Sequence, residues 1–529
     1  MRLFVFAIGG TGSRVLTSLI MMLAAGARPK DNNGRSINNL SIVPIIIDPH
    51  ETNDALTKVE ELLRRYRTMH RRIHGDNPNN EGYFGVKIET LQEVEPQRVN
   101  NDTFFFKMTK VSESAFSKFI DIETMELTNK LFAKMLFSQD ELNTKMEEGF
   151  YGSPNIGCIA LNEFRKSPDF NAFRAAYSEG DRIFFIGSIF GGTGASGLPL
   201  FISSIRELVN LDNGDGAADG RVNCAEAPIG ALIVMPYFSI ANNNGGAAGG
   251  TQIRDSEFIV KTKSALRYYH SNLNRYINRT YYISDPKGTA GFTYDPGGEG
   301  QRENKAHIVE FAGALAMFDF LAINDDGLNV NNPDGGERIT AVAPLYKSYG
   351  LNTDDAYIHF AGLSRQTNRV ILNAMMGFYM LRQFMKNHMG DMLTKPFANQ
   401  YDKNLTEALY REDEITGIFN MFDEWISQMK AHGNGANNLQ LYGDYSAQDK
   451  DFSNLFFGSP ETKTSRLLGL KGSVKINDVV KALNEAAEII GNMDSPNNGE
   501  VAYARWYNVA YRAMNNIIDN KFDITTLIQ

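Results

Sequence analysis

The sequence predicts an α/β protein with a doubly wound, mostly parallel sheet, a long central helix and a helix-rich C-terminal domain. Continuous apolar runs such as Leu3–Ile8 are typical of strands buried on both faces. Helical spacing follows these runs, and alternating strands and helices indicate a parallel sheet with right-handed crossovers. Glycine-rich turns, beginning at Gly9 and Gly191, join two of the strands to the helices that follow.

The first 322 residues carry the strands of this sheet. Strands are predicted at 3–8, 40–47, 182–187, 231–236 and 280–284. The helices that follow them are predicted at 13–25, 52–74, 197–209 and 255–269, and a helical section separates the second strand from the third. The second helix contains a basic stretch at residues 64–72, which fits either a solvated helix face or a docking patch for an anionic partner.

An apolar segment at 307–321 predicts the long central helix, and the polar loop after it marks a domain boundary. We therefore expect two domains, at residues 1–322 and 338–529. The second domain contains two strand-like segments, ITAVAPLY and AYIHFAGL, before its helices. Those helices are predicted at 370–388, 414–429, 476–490 and 501–518.

Composition narrows the class of protein. The chain has 529 residues, a formal net charge of −9 and two cysteines, Cys158 and Cys224, that are far apart in sequence. The acidic balance argues against a nucleic-acid partner, and the cysteine count argues against a disulfide scaffold or a structural zinc site. The N-terminal segment lacks the pattern of a signal peptide, and its best apolar run is too short to span a bilayer. A soluble cytoplasmic protein without membrane insertion is expected.

Two glycine-rich turns carry the main functional signal, and each lies between a buried strand and a helix. Such turns let backbone N–H groups approach an anion, and the following helix adds its positive N-terminal end. Serine and threonine hydroxyls supply further donors. The first turn comprises Gly9, Gly10, Thr11, Gly12 and Ser13, and the second Gly191, Gly192, Thr193, Gly194, Ala195 and Ser196, followed by Gly197. Because the carboxyl ends of parallel strands meet at one sheet edge, the two turns together predict phosphate binding.

Neither turn is a Walker A sequence, because no Lys-Ser or Lys-Thr pair follows the glycines. The first turn alone also fits a dinucleotide-binding fingerprint, with Asp48 as the acid that ends the second strand. An NAD(P)-dependent oxidoreductase is therefore an alternative, although it leaves the second turn unexplained and the sheet half shows no Tyr-x-x-x-Lys proton relay.

Residues 187–199, GSIFGGTGASGLP, resemble the glycine signature of the tubulin/FtsZ superfamily, including its trailing proline. GSPNIG at 152–157 is similar to a phosphate loop of FtsZ, and LIVMPYFS at 232–239 is similar to the end of a strand found in both tubulin and FtsZ. The order of loops, strands and central helix also matches, so the resemblance covers about residues 1–322. It is that of a divergent bacterial tubulin-like protein.

The resemblance implies that the sheet edge binds GTP or GDP with Mg²⁺. The first turn, Gly9–Ser13, would lie under the phosphates, and the second turn would cradle the β- and γ-phosphates together with the 152–157 segment, including Gly152 and Asn155. Asp48 would lie near the ribose or the magnesium-linked phosphate, and a turn or helix-capping acid is the alternative for this residue. The resemblance further implies self-association into homo-oligomers, with filaments as one form.

Base recognition in this superfamily comes from the start of the central helix. Asn304 stands there, and its amide can both donate to and accept from the guanine edge. Gln301 or Arg302 replaces the expected stacking aromatic residue, and Arg302 can stack its guanidinium plane instead. An N-cap role for Asn304 is the alternative.

Hydrolysis in this superfamily uses acids from a loop after the central helix, supplied to the phosphate of a neighbouring subunit. Asp325 and Asp326 are the candidate catalytic acids here, although their spacing departs from the family pattern. Hydration of an exposed loop is the alternative for both. We expect a slow GTPase that self-associates, or else a nucleotide-dependent scaffold that docks a partner protein through its C-terminal domain.

Overall fold

The structure is a computed structural model, which describes most of the chain. The described residues are 1–31, 33–37, 39–49, 54–77, 81–98, 102–106, 108, 111, 115–146, 150, 153–207, 224–240, 255–284, 293–294, 305–328, 341–344, 348–349, 358–359, 365–393, 413–430, 451–452, 474–491 and 499–522. The strands are β1 (Arg2–Ile8), β2 (Ser41–Ile47), β3 (Lys87–Ile88), β4 (Phe105–Phe106), β5 (Arg182–Ser188), β6 (Ile229–Val234), β7 (Ser239–Ile240), β8 (Arg279–Ile283), β9 (Thr293–Tyr294), β10 (Ala341–Pro344), β11 (Ser348–Tyr349) and β12 (Ile358–His359).

The helices alternate with these strands in the first half and follow them in the second. They are α1 (Gly9–Ala24), α2 (Asp54–His74), α3 (Leu91–Val94), α4 (Phe116–Phe119), α5 (Leu127–Leu136), α6 (Gln139–Leu142), α7 (Pro154–Leu161), α8 (Pro168–Ala176), α9 (Gly192–Arg206), α10 (Asp255–Asn272), α11 (Ile308–Ala322), α12 (Arg365–Leu393), α13 (Asp413–Lys430), α14 (Ile476–Ile490) and α15 (Gly499–Lys521). Short 3₁₀ helices lie at Asn162–Lys166, Cys224–Glu226, Asn274–Tyr276 and Asp326–Leu328.

The central sheet is parallel throughout the described residues, which confirms the predicted α/β class. Its strand order is β10-β8-β6-β5-β1-β2-β3, and β4 also pairs with β2. In register, Ile8 of β1 lies opposite Ile47 of β2, and Ala7 lies opposite Ile186 of β5. Three strands therefore end side by side at the carboxyl edge of the sheet.

Helices cover both faces of this sheet, as the continuous apolar strands require. The ring of Phe6 contacts Phe164 and Phe173 on one face, where α7, α8 and α9 lie. Ala7 points the other way, towards Gly12 of α1. The central helix α11 packs on that second face, where Phe320 contacts Phe184. Alternation along the strands thus buries successive side chains against different helices.

The C-terminal helices pack directly on α1 and α2. Phe378 of α12 contacts the ring of Tyr83, and Trp425 of α13 contacts Phe311 of the central helix. Nearly all of the buried apolar residues that the structure describes belong to one cluster, which includes both halves of the chain. The predicted domains are separated by the segment 323–337. Most of that segment lies in residues 329–340, outside the described residues, so the division into two domains stays a prediction.

The basic stretch of α2 faces this contact. Arg65 pairs with Asp413 and Glu414 at the start of α13, at 3.1 and 3.4 Å. Arg72 pairs with Glu500 of α15, and its guanidinium carbon lies 3.8 Å from the ring centroid of Tyr503. The acidic partner of this stretch is therefore the same chain. No described helix combines the length and the apolar character needed to cross a bilayer.

Candidate phosphate-binding site

The sheet has a topological switch point between β1 and β5. From β1 the chain moves to β2 and β3 on one side, whereas from β5 it moves to β6, β8 and β10 on the other. In open α/β sheets the crevice at the carboxyl ends of such strands is where ligands bind. The two predicted glycine turns follow these two strands, so they flank the switch point from both sides.

The first turn is shorter than predicted, because α1 begins at Gly9 immediately after β1. Gly9 has a φ of +71°, a conformation that favours glycine and allows the chain to enter the helix without a loop. The N-cap residue, Ile8, makes no side-chain capping hydrogen bond, and the first turn contains no acidic residue. The N-cap side chain therefore satisfies none of the first N–H groups of α1, and groups of this kind at a helix start suit an anion.

The second turn has the same character. Helix α9 begins at Gly192 with Gly191 as its N-cap, again without a side-chain cap and without an acid in the first turn. The two turns meet, since a Cβ built on Gly9 would lie 3.3 Å from the Cβ of Thr193. The residues that remain partly exposed along this contact are Gly10, Thr11, Gly191, Gly192 and Thr193.

Other members of the two turns are buried behind the edge and pack the helices onto the sheet. A Cβ on Gly12 would lie 2.7 Å from the carbonyl carbon of Ala7, and one on Gly194 would lie 2.6 Å from the backbone of Ser188. Ser13 and Ser196 are fully buried, and their hydroxyls donate to backbone carbonyls within their own helices. The predicted donor role of these two serines has no support in this geometry, whereas Thr11 and Thr193 stay accessible.

The third predicted segment is the first turn of helix α7 rather than a loop. Pro154 occupies the start of this helix, and its N-cap, Ser153, makes no side-chain capping bond. Helix α7 lies against α9, because a Cβ on Gly157 would overlap the side chain of Ser196. The exposed Asn155 donates to the carboxylate of Glu141 at 2.7 Å. Gly152 lies outside the described residues.

Glu141 contributes negative charge beside this third helix start. Partial burial opposes its ionisation, but hydrogen bonds from Asn155 and Ser138 outweigh that effect, so its pKa lies below the ordinary value. The carboxylate therefore holds the amide of Asn155 in place at neutral pH.

Asp48 follows β2 directly and is the acid nearest in register to the first turn. It is buried, and the opposition of Ile8 and Ile47 places it beside Gly9 across the strand pair. Mg²⁺ bound with nucleotides usually takes one or two carboxylates along with phosphate oxygens and water. Asp48 could supply one such carboxylate. Among the described residues, no group of three or more acidic, histidine or cysteine side chains is arranged to hold a metal ion.

The entrance to the central helix lies beside the second turn of α1. Arg14 donates to the carbonyl oxygen of Lys305 at 3.1 Å, and its guanidinium pairs with Glu310. The N-cap of α11 is His307, which forms a reciprocal capping box with Glu310. Asn304 lies outside the described residues, so both of its predicted roles stay predictions.

A buried polar cluster at this entrance was not predicted from the sequence. Its members are Arg14, Glu310, Tyr237 and His307, and Tyr237 donates to Glu310 at 2.8 Å. A lone acid within the apolar run HIVEFAGALA was the available signal, because a buried carboxylate needs a cation or several donors. The cluster joins α1, the end of β6 and the central helix directly behind the first glycine turn.

The predicted catalytic acids lie at the opposite edge of the sheet. Asp325 pairs with Arg182, the first residue of β5, at 3.1 Å, whereas the glycine turns follow the last residues of β1 and β5. Asp326 is exposed and begins the 3₁₀ helix Asp326–Leu328. The structure therefore does not bring these acids together with the glycine turns of the same molecule.

No protein-family model matches the sequence, and no curated protein matches it. Among solved structures, the chain is similar to CetZ2 from Haloferax volcanii, described as a GTPγS-bound protofilament, with a TM-score of 0.24 and 12% sequence identity. The match covers 62% of this chain and 58% of the CetZ2 chain. The chain thus spans less than two thirds of the length of that protein, and a likeness of this strength adds nothing about function.

Proposed function

We propose that this chain is a divergent tubulin-like protein that binds GTP or GDP at the carboxyl edge of its sheet. The observation that carries the proposal is the meeting of two uncapped, glycine-initiated helices at the switch point between β1 and β5. The resemblance of residues 187–199 to the tubulin/FtsZ signature supports a guanine nucleotide as the ligand.

The proposed phosphate contacts come from the accessible residues of the two turns. Backbone N–H groups of Gly10, Thr11, Gly192 and Thr193 would donate to phosphate oxygens, since neither N-cap residue supplies a side-chain cap at these helix starts. The first turn of α7, next to Asn155, would add a third positive helix end. Mg²⁺, when bound, would neutralise phosphate charge, with Asp48 as its protein contact.

The guanine base would be recognised at the start of the central helix. Arg14, in the second turn of α1, donates to the carbonyl oxygen of Lys305, so the described part of this entrance lies close to α1. The amide of Asn304 would pair with the guanine edge, and Arg302 would stack on the base. Both residues lie outside the described part of the chain, and we infer their roles from the family resemblance.

We further propose slow hydrolysis at a junction between subunits. Asp325 and Asp326 lie at the amino edge of the sheet, so they can reach a phosphate only on a second molecule whose glycine edge faces them. There they would orient the attacking water. The pairing of Asp325 with Arg182 favours a second candidate, a nucleotide-dependent scaffold that docks a partner through the C-terminal helices, because the cation neutralises one of the two acids.

The binding site is tested by the nucleotide that the protein carries and by Gly192→Val. We expect guanine nucleotide in the supernatant of heat-denatured protein, and loss of GTP binding in the variant, because a branched side chain would block the backbone approach. Glu488→Val, on the exposed face of α14, is the control and should bind GTP normally. Recovery of NAD(H), or full GTP affinity in Gly192→Val measured by calorimetry, would refute the assignment.

The junction mechanism is tested by the dependence of turnover on protein concentration. GTP turnover per molecule should rise with concentration and fall when Asp325→Asn is combined with Asp326→Asn, while GTP affinity stays unchanged. The single change Asp326→Asn leaves the Arg182–Asp325 pair intact and serves as the matched variant. A slow rate that is independent of concentration and of both changes would favour the scaffold instead.

A further inference from the structure

Helix α5 presents an apolar surface to solvent. Its large apolar side chains are 55–83% exposed, and they are Leu127, Leu131, Phe132, Met135 and Leu136. Leu127, Leu131 and Met135 follow one another at four-residue spacing, and so do Phe132 and Leu136. Residues at this spacing are neighbours on a helix surface, so the five side chains form one continuous patch, which we call the α5 patch.

The α5 patch cannot be explained as part of the core of its own chain. Within α5 only Ala133 is buried, and the helix is held at its end by Phe137, whose ring lies 4.9 Å from that of Phe116. A small residue faces the body while the large ones face outward. Contiguous exposed apolar patches of this kind mark interaction sites in soluble proteins.

The charges around the patch select the kind of partner. Residues 116–146 contain four lysines and five acidic residues, so the surface is not cationic enough to favour an anionic membrane. The charges have opposite signs at the two ends of the helix. Glu123 and Glu126 precede the first residue of α5, whereas Lys134 lies in its second half. Lys130, in the first half, pairs with Glu123 of the same chain.

We propose that the α5 patch binds the α5 patch of a second copy of this chain, as an antiparallel helix pair around a twofold axis. In an antiparallel pair the start of each helix lies beside the end of its partner, so Glu126 at the start of each copy would lie near Lys134 of the other. The pair would cover ten large apolar side chains, an area on the order of 1,000 Å², which reaches the lower limit of specific interfaces. This contact does not depend on nucleotide binding and differs from the proposed junction between sheet edges.

The mass of the protein in solution tests the contact, measured by sedimentation over a concentration series without nucleotide. We expect twice the chain mass of 59.0 kDa for the unchanged protein and the single mass for Leu131→Lys. Leu131 is exposed in the monomer, so this change should leave the circular dichroism spectrum and thermal unfolding unaltered. Ile489→Lys, on the exposed end of α14, is the matched control and should remain dimeric.

A charge exchange tests the antiparallel arrangement. Lys134→Glu and Glu126→Lys should each weaken the dimer about tenfold, because each places like charges opposite one another. Mixing the two variants should restore the original affinity, since every opposed pair in the mixed dimer regains opposite signs. A monomeric unchanged protein, a dimer that persists in Leu131→Lys, or a mixture no tighter than its components would overturn the proposal.

Discussion

At the scale of single residues, the glycines of the two turns divide into two groups with different physical tasks. Gly191 and Gly192 are accessible at the sheet edge, where the backbone can approach a ligand. Gly12 and Gly194 are buried, and each lets a helix approach a strand more closely than a Cβ would permit. Substitutions in the same motif should therefore have different consequences: loss of binding for the first group and loss of stability for the second.

Gly194→Ala should lower the free energy of unfolding by about 1–3 kcal/mol, since its Cβ would lie 2.6 Å from Ser188 backbone atoms. Gly377→Ala in α12 is the control, because its Cβ would meet atoms no closer than 3.5 Å. Alanine favours a helix over glycine, so the control should be neutral or slightly stabilising. Urea unfolding measures both, and equal effects would contradict the distinction.

His74 makes stability depend on pH. Burial lowers its pKa to about 4, and its Nε2 lies 2.8 Å from the carbonyl oxygen of Tyr83. Between this value and the ordinary 6.5 the unfolded chain binds a proton that the folded chain does not, so stability falls as the pH falls.

Between pH 7 and pH 5, this residue should remove up to about 2 kcal/mol of unfolding free energy. His74→Gln should flatten the pH profile by that amount. Urea unfolding at the two pH values measures the effect. An identical slope in His74→Gln and the unchanged protein would contradict this assignment.

At the scale of helices and strands, the elements with regular apolar patterns were predicted well, whereas the starts of the two glycine-initiated helices were not. The strand predicted at 182–187 is found at Arg182–Ser188, and the helix predicted at 476–490 at Ile476–Ile490. In contrast, α1 begins four residues before the predicted 13–25 segment, and α9 begins five residues before 197. Glycine is a poor helix former, and its place in these helices depends on packing against strands that local sequence does not specify.

Contacts between distant segments account for the rest of what the sequence did not predict. The switch point could be expected from the order of strands and turns, and with it the position of the two glycine turns. The pairing of Arg14 with Glu310, and of Arg182 with Asp325, joins residues more than 140 positions apart. A charged residue within an apolar run indicates that a buried charge needs a partner, but the run does not identify which residue provides that partner.

The ion pairs of α2 give a prediction at this scale. Arg65 is largely buried and has Glu61, Asp413 and Glu414 around it, whereas Arg64 is mostly exposed and pairs with Glu414 alone among the described acids. Arg65→Gln should cost about 1–2 kcal/mol of unfolding free energy, because it removes a largely buried cation, although its partners Asp413 and Glu61 are themselves largely exposed. Arg64→Gln should cost under about 1 kcal/mol. Chemical denaturation distinguishes the two, and similar losses would contradict the role given to burial.

At the scale of the whole molecule, the sheet separates two edges with opposite properties. Uncapped helix starts gather at the carboxyl edge, whereas Asp325 and Asp326 lie at the amino edge. Edges that differ in this way suit head-to-tail contacts, which extend without closing unless the rotation between copies forms a ring. The α5 patch would join copies differently, through a twofold axis, so the two contacts together would link chains into paired rows.

The intrinsic tryptophan fluorescence of the protein can report on the contact between its two halves. Its two tryptophans are Trp425 and Trp506, and both are buried. The indole of Trp425 donates to Ser18 of α1 at 3.3 Å and packs against Phe311 of the central helix, so it lies where α1, α11 and α13 meet. In a Trp506→Phe background the emission of this one indole would follow any shift of α1 against the C-terminal helices, without a label and in real time.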